Sequence, residues 1–244
     1  MKVMKLCGDG RIMVSLIAFF TLVGCASSSD RKIEEARFLL DEGKFEEAEV
    51  KAREAVAENP TSVEAQFLLA STLIGVSFLG DESYLEKLAT VQESSGAANK
   101  FTIFNDILPS ELPSEKLALL YESRDILIDI PDSAKTKDIW LQQYMARLFE
   151  IASVSSVIGA TSDDACASAS YNPSGLSADQ LSRFQDNLDN INSDGDMAGL
   201  PDDFSLDEAF VEISMQLTAA IISAGNEVQG TADFFNTQFG CVTP

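Results

Sequence analysis

The residue types able to carry chemistry are few in this chain, and one is missing altogether: there is no histidine among its 244 residues. Its absence excludes imidazole acid–base catalysis, Ser-His-Asp triads and histidine-ligated zinc. Serines are plentiful, but no GxSxG elbow occurs. The pairs Asp163-Asp164 and Asp202-Asp203 are adjacent in the chain, which cannot hold two carboxyl groups across a shared substrate. They read as surface charge and as stabilisation of helix N-termini. The segment Asn190-Ile191-Asn192-Ser193-Asp194-Gly195-Asp196 offers oxygen donors at positions one, three and five ahead of a glycine, as in the first half of a calcium loop. Position twelve, where a bidentate glutamate should close the site, is Pro201. The segment is therefore expected to be a solvated turn capping a helix at Ile191. Calcium on Asn190, Asn192, Asp194 and Asp196 is the alternative, and no cofactor is expected.

The chain is 45% hydrophobic and 23% charged, the composition of a globular protein. Seventeen Lys and Arg face 39 Asp and Glu, for a formal charge of −22 and an isoelectric point near 4.1. Such a surface repels phosphate backbones and argues against nucleic-acid binding. It favours protein partners with basic patches.

Lys2, Lys5 and Arg11 precede a largely apolar run from Ile12 to Val23. That run is too short to span a bilayer, which takes roughly 20 residues, but it suits the core of a signal peptide. It ends in Leu22-Val23-Gly24-Cys25, which resembles the lipobox of bacterial lipoproteins. The resemblance implies cleavage before Cys25 and acylation of that residue, with several chains giving stable anchoring. Residues 1–24 would be the signal and 25–31 a polar tether. Ala26, rather than Asp, follows the cysteine, so the resemblance implies the outer membrane, facing the periplasm. Ser29-x-x-Lys32 has the spacing of a Ser-Lys pair but falls in this tether, where no pocket would depress the lysine pKa. With Cys7 removed and Cys25 lipidated, Cys166 and Cys241 remain as a pair in an oxidising compartment. They are expected to form a disulfide.

From Lys32 to Leu79 apolar residues recur at helical spacing with no strand-like alternation. Gly43-Lys44-Phe45-Glu46-Glu47-Ala48, followed by Ala55 and Pro60, resembles a tetratricopeptide repeat. Small residues at Ala36, Ala48 and Ala55 would let two helices cross closely, and Pro60 would end the unit. Ala36 and Ala70 are 34 residues apart, as are Leu39 and Leu73, which matches the period of that repeat. Glu35 departs from the usual leucine, and Lys32 and Gln66 from the frequent tryptophan. The resemblance spans about residues 32–80 and implies a concave surface that binds partner proteins. Glu34, Arg37, Gln66, Phe67 and Ser71 are the expected contacts there.

Residues 81–244 continue as irregular helices packing on the repeat. Leu117, Leu120, Tyr121, Ile126 and Ile128 mark one face, and Ile139 to Ile158 the strongest core helix. Residues 159–176 read as a loop. Ser177-x-x-Gln180 and Ser205-x-x-Glu208 are capping boxes opening the last long helices. Phe234, Phe235 and Phe239 belong to a final short one.

The expected fold is thus all-α, and the expected role is non-enzymatic: a scaffold or assembly factor for an envelope complex. The alternative is a transport-associated component holding a small or lipidic ligand among Phe67, Phe78, Phe104, Trp140, Tyr144, Phe149 and Phe210.

Overall fold

A computed structural model of the chain describes residues 28–79, 114–157, 176–200 and 207–239. Among the described residues the fold is all-α, with no strand. The helices are α1 (Ser28–Asp41), α2 (Phe45–Glu58), α3 (Val63–Ile74), α4 (Ser114–Asp129), α5 (Lys137–Val157), α6 (Ala178–Ala198), α7 (Asp207–Ala224) and α8 (Glu227–Phe239). A π-helical turn, Gly75–Leu79, extends α3, and a 3-10 turn, Asp132–Ala134, precedes α5. Every helix packs on its neighbour in the chain, from α1 on α2 through to α7 on α8. Longer contacts join α1 to α3, α3 to α5 and α6 to α8. This is the packing order of consecutive hairpins laid side by side.

The helix ends follow from local chemistry. At the end of α1, Gly43 adopts φ +71°, open to a residue without Cβ. Its N–H donates to the Leu40 carbonyl at 3.0 Å, and that of Lys44 to Leu39 at 2.9 Å, which satisfies two orphan carbonyls. The α2 helix stops at Glu58, ahead of Asn59-Pro60. Ser62 caps α3 by accepting from the Ala65 N–H at 3.2 Å. The capping box of Ser177 and Gln180 is present at the start of α6.

The segment read as a tether is helical from Ser28 onward. Ser29 is buried and its hydroxyl donates to the Ala55 carbonyl at 3.3 Å, while Ser28 donates to Glu58 at 3.0 Å. These serines lengthen α1 because they have partners on the last turns of α2. Residues 1–27, with Cys25, and Cys166 and Cys241 lie outside the described residues, as does most of the expected loop at 159–176.

Two cores meet at α3. Ala36, Ala52 and Ala55 are fully buried and bring α1 and α2 close; with Ala65, Leu68, Leu69 and Leu73 of α3 they form one core. The opposite side of α3, through Val63, Phe67, Ala70 and Ile74, joins the larger core of α4 to α8. Phe45 packs so tightly on the end of α3 that a Cβ at Gly75 would lie 2.3 Å from its ring. In α5 every residue from Ala146 to Val154 is buried. Phe235 of α8 is fully buried, with its ring 5.8 Å from Phe184 of α6 and 5.1 Å, edge to face, from Phe234.

The α7–α8 hairpin closes over Gly230, where an added Cβ would sit 2.3 Å from the Ile221 Cα. Backbone cannot move aside as a side chain can, so Gly230→Ala is expected to destabilise by about 1–3 kcal/mol or more. Gly195 is helical, and its Cβ would meet the Tyr144 ring at an ordinary 3.4 Å. Gly195→Ala is therefore expected to stabilise by about 0.5–1 kcal/mol. Urea denaturation of both variants checks the opposite signs.

Candidate interaction surface

Four of the five expected contact residues lie on the side shared by α1, α3 and α5. Arg37 of α1 pairs with Glu34 at 3.2 Å and with Glu64 of α3. On α3, the Ser71 hydroxyl lies 2.9 Å from the Phe67 carbonyl and 3.0 Å from Gln142 Oε1 of α5. Phe67 is half-buried against the larger core. The structure thus joins Glu34 to Arg37 and Phe67 to Ser71. Gln66 turns the other way: its Nε2 donates to the Pro60 carbonyl at 2.9 Å, and its side chain lines a separate groove.

That groove, about 370 Å³, opens between α2, α3 and α4. Val56, Leu69 and Ile126 supply apolar lining, and Arg53, Glu122 and Asp129 the polar edge. Arg53 bridges α2 to α4 with a fork of bonds to both Glu122 oxygens, at 2.5 and 2.7 Å. Its Nε donates to Glu49 at 2.7 Å. Paired geometry of this kind is stronger than a single contact. The bond to Glu122 comes first among the influences that hold the Arg53 guanidinium above its ordinary pKa, although partial burial opposes them.

A second polar cluster is buried between α4, α5 and α6. Arg147 of α5 donates to Asp194 of α6 at 2.7 Å and to Asp186 at 2.8 Å, and Gln143 donates to Asp194 at 2.8 Å. Glu150, wholly buried, accepts from Arg183 at 3.0 Å and Asn187 at 2.7 Å. Arg124 of α4 is buried beside Glu150 and bonds Asp186. Arg183 also pairs with Asp125 at 2.9 Å and stacks over Tyr121, 4.3 Å from its ring centre. Burial is the main cause that pushes the Tyr121 hydroxyl pKa up to about 12. Burial also raises the carboxyl pKa values of Glu150 and Asp194, with the neighbouring cations opposing it.

The cluster corrects the reading of Asn190–Asp196. These residues are not a turn but the continuous last turns of α6, which ends at Gly199 with φ +76°. Asp194 is buried and committed to Arg147 and Gln143, so the spacing of Asn190, Asn192, Asp194 and Asp196 does not wrap a cation. Gly195 packs against Tyr144 instead of turning the chain. Among the described residues no group of acidic or cysteine side chains is placed to hold a metal ion.

Sequence reasoning missed both the groove and the cluster. The cluster has a signal: Gln143, Arg147 and Glu150 recur at i, i+4 and i+7 of α5, opposite Arg183, Asn187 and Asp194 on α6. On one helix alone such a stripe reads as a solvated face. The groove has no such signature, because its residues come from three helices.

Removing one partner of a buried ion pair strands the other, at about 3–5 kcal/mol. Arg147→Ala is expected to cost that much in urea denaturation, and Arg37→Ala, on the exposed surface, far less. The raised pKa values of Glu150 and Asp194 give stability that is full below the ordinary carboxylate range near pH 4 and lost as pH rises through the raised values. Melting temperature is expected to fall as pH rises above that range, and Glu150→Gln to flatten the slope. Comparisons with protein-family models, with curated protein sequences and with solved structures gave no match to this chain.

Proposed function

We propose that this chain is an outer-membrane lipoprotein, anchored through Cys25 and facing the periplasm, that serves as a protein–protein interaction scaffold or assembly factor for an envelope complex. The observation that carries this reading is the sequential packing of neighbouring helices, with an open, apolar-floored groove on one side and a polar face on the other. Stacked hairpins of this kind offer extended surfaces to polypeptide partners. Ala36 and Ala70, one period of 34 residues apart, are both fully buried, Ala36 in the core of α1 to α3 and Ala70 in the larger core, which supports the likeness to tetratricopeptide repeats. Three of the aromatic residues that a ligand cavity would need, Trp140, Tyr144 and Phe149, are buried as core. That favours the scaffold over a carrier of small or lipidic ligands.

Detergent extraction of native membranes, mild crosslinking and mass spectrometry test the reading. The expected result is a reproducible envelope protein crosslinked to residues 32–80, and diacylglycerol-modified Cys25 at the mature N-terminus. Co-purification of a lipid or metabolite with no protein partner would contradict the scaffold. An unmodified Cys25 would contradict the anchor.

A further inference from the structure

We infer that the groove between α2, α3 and α4 is a docking site for a partner polypeptide segment that presents a branched aliphatic side chain beside a lysine or arginine. The inference rests on the scaffold reading and adds to it both the surface and the chemistry of the partner. This surface is not the one to which Arg37, Phe67 and Ser71 belong.

Three observations carry it. First, the lining is apolar where it is deepest: Leu69 is only 4% exposed, with half-buried Val56 and Ile126 beside it. A space of about 370 Å³ accepts an aliphatic side chain with part of its backbone, which is small for a cofactor and suited to a peptide anchor. Second, the cation at its edge is already engaged. Arg53 spends its fork on Glu122 and its Nε on Glu49, so it offers little to an incoming anion. Third, the edge carries an uncommitted negative charge. Asp129 is exposed, lines the groove and makes no ion pair or hydrogen bond among the described residues. An apolar floor with a net acidic edge selects an apolar residue flanked by a cation, in a chain whose total charge of −22 steers basic segments toward it.

Gln66 shapes the wall. Its amide is tethered to the Pro60 carbonyl, and it lines the groove together with Leu69. A large ring at this position would fill that space.

The test uses the full chain in detergent and two fluorescent 12-residue peptides with identical leucines, one with lysines and one with glutamates at the polar positions. Each carries a photoreactive benzophenone in place of one leucine. The lysine peptide is expected to bind and to crosslink within residues 53–57, 66–69 or 122–129, and the glutamate peptide not to bind. Asp129→Lys should weaken the lysine peptide at least 5-fold and Gln66→Trp should block it. Glu46→Lys, the same charge change on an exposed turn of α2 outside the groove, should change binding less than 2-fold. Equal losses in Asp129→Lys and Glu46→Lys would reduce the effect to bulk charge and overturn the inference. Crosslinks confined to the side bearing Arg37, Phe67 and Ser71 would overturn the groove while leaving the scaffold reading intact. Absence of any binding would overturn the groove, and the membrane crosslinking would then judge the scaffold alone. Melting curves and circular dichroism of each variant confirm that it folds.

Discussion

Helix α5 is buried on every side between Ala146 and Val154, yet it carries Arg147 and Glu150 in that stretch. A charge cannot be left unpaired in such a place, so the helices on either side must supply its partners. That requirement fixes α6, which brings Arg183, Asn187 and Asp194 to α5, and α4, which brings Arg124 and Asp125. Three guanidinium groups face four carboxylates across three helices. Desolvation consumes most of what such pairs gain. Their contribution here is register: sliding α6 by one turn along α5 would strand Asp194 and Glu150 together.

Helix α3 transmits this order to the N-terminal hairpin. One of its sides is cemented into the larger core, and the Ser123 hydroxyl of α4 donates to its Ala70 carbonyl at 2.9 Å in the interior. Its other side receives α1 and α2 through residues no larger than leucine, and Phe45 locks over Gly75 at its end. The groove is the space left where α2 and α4 diverge on either side of α3, spanned by the Arg53–Glu122 bridge. Its shape is therefore set by buried contacts beneath it and does not depend on an occupant.

Much of this order is legible in the sequence, because it is local. Gly43, Asn59-Pro60 and the Ser177–Gln180 box each act on a helix end through the backbone nearby, and the structure places helix boundaries at all of them. The cores of α1 to α3, α5 and α6 follow from spacing alone. What the sequence hides is what needs a tertiary partner. Asn190 to Asp196 is a string of turn-forming residues, and only Arg147 and Gln143, about 50 positions away, make Asp194 a helical core residue. Gln66 and Phe67 are neighbours in the chain and read as one surface there, but a step of 100° along a helix sends them to different faces of α3. Ser28 and Ser29 look like linker until the last turns of α2 supply their acceptors.

The central claim is that α3 and α5 tie the hairpins into one cooperative body that holds the groove preformed. Native-state hydrogen exchange of the full chain measures this directly. The account predicts that the amides of Leu69 on α3, Ala55 on α2 and Phe149 on α5 exchange through one global opening, with the same free energy and denaturant dependence. Exchange of Ala55 and Leu69 through a smaller opening, while Phe149 stays protected, would contradict it.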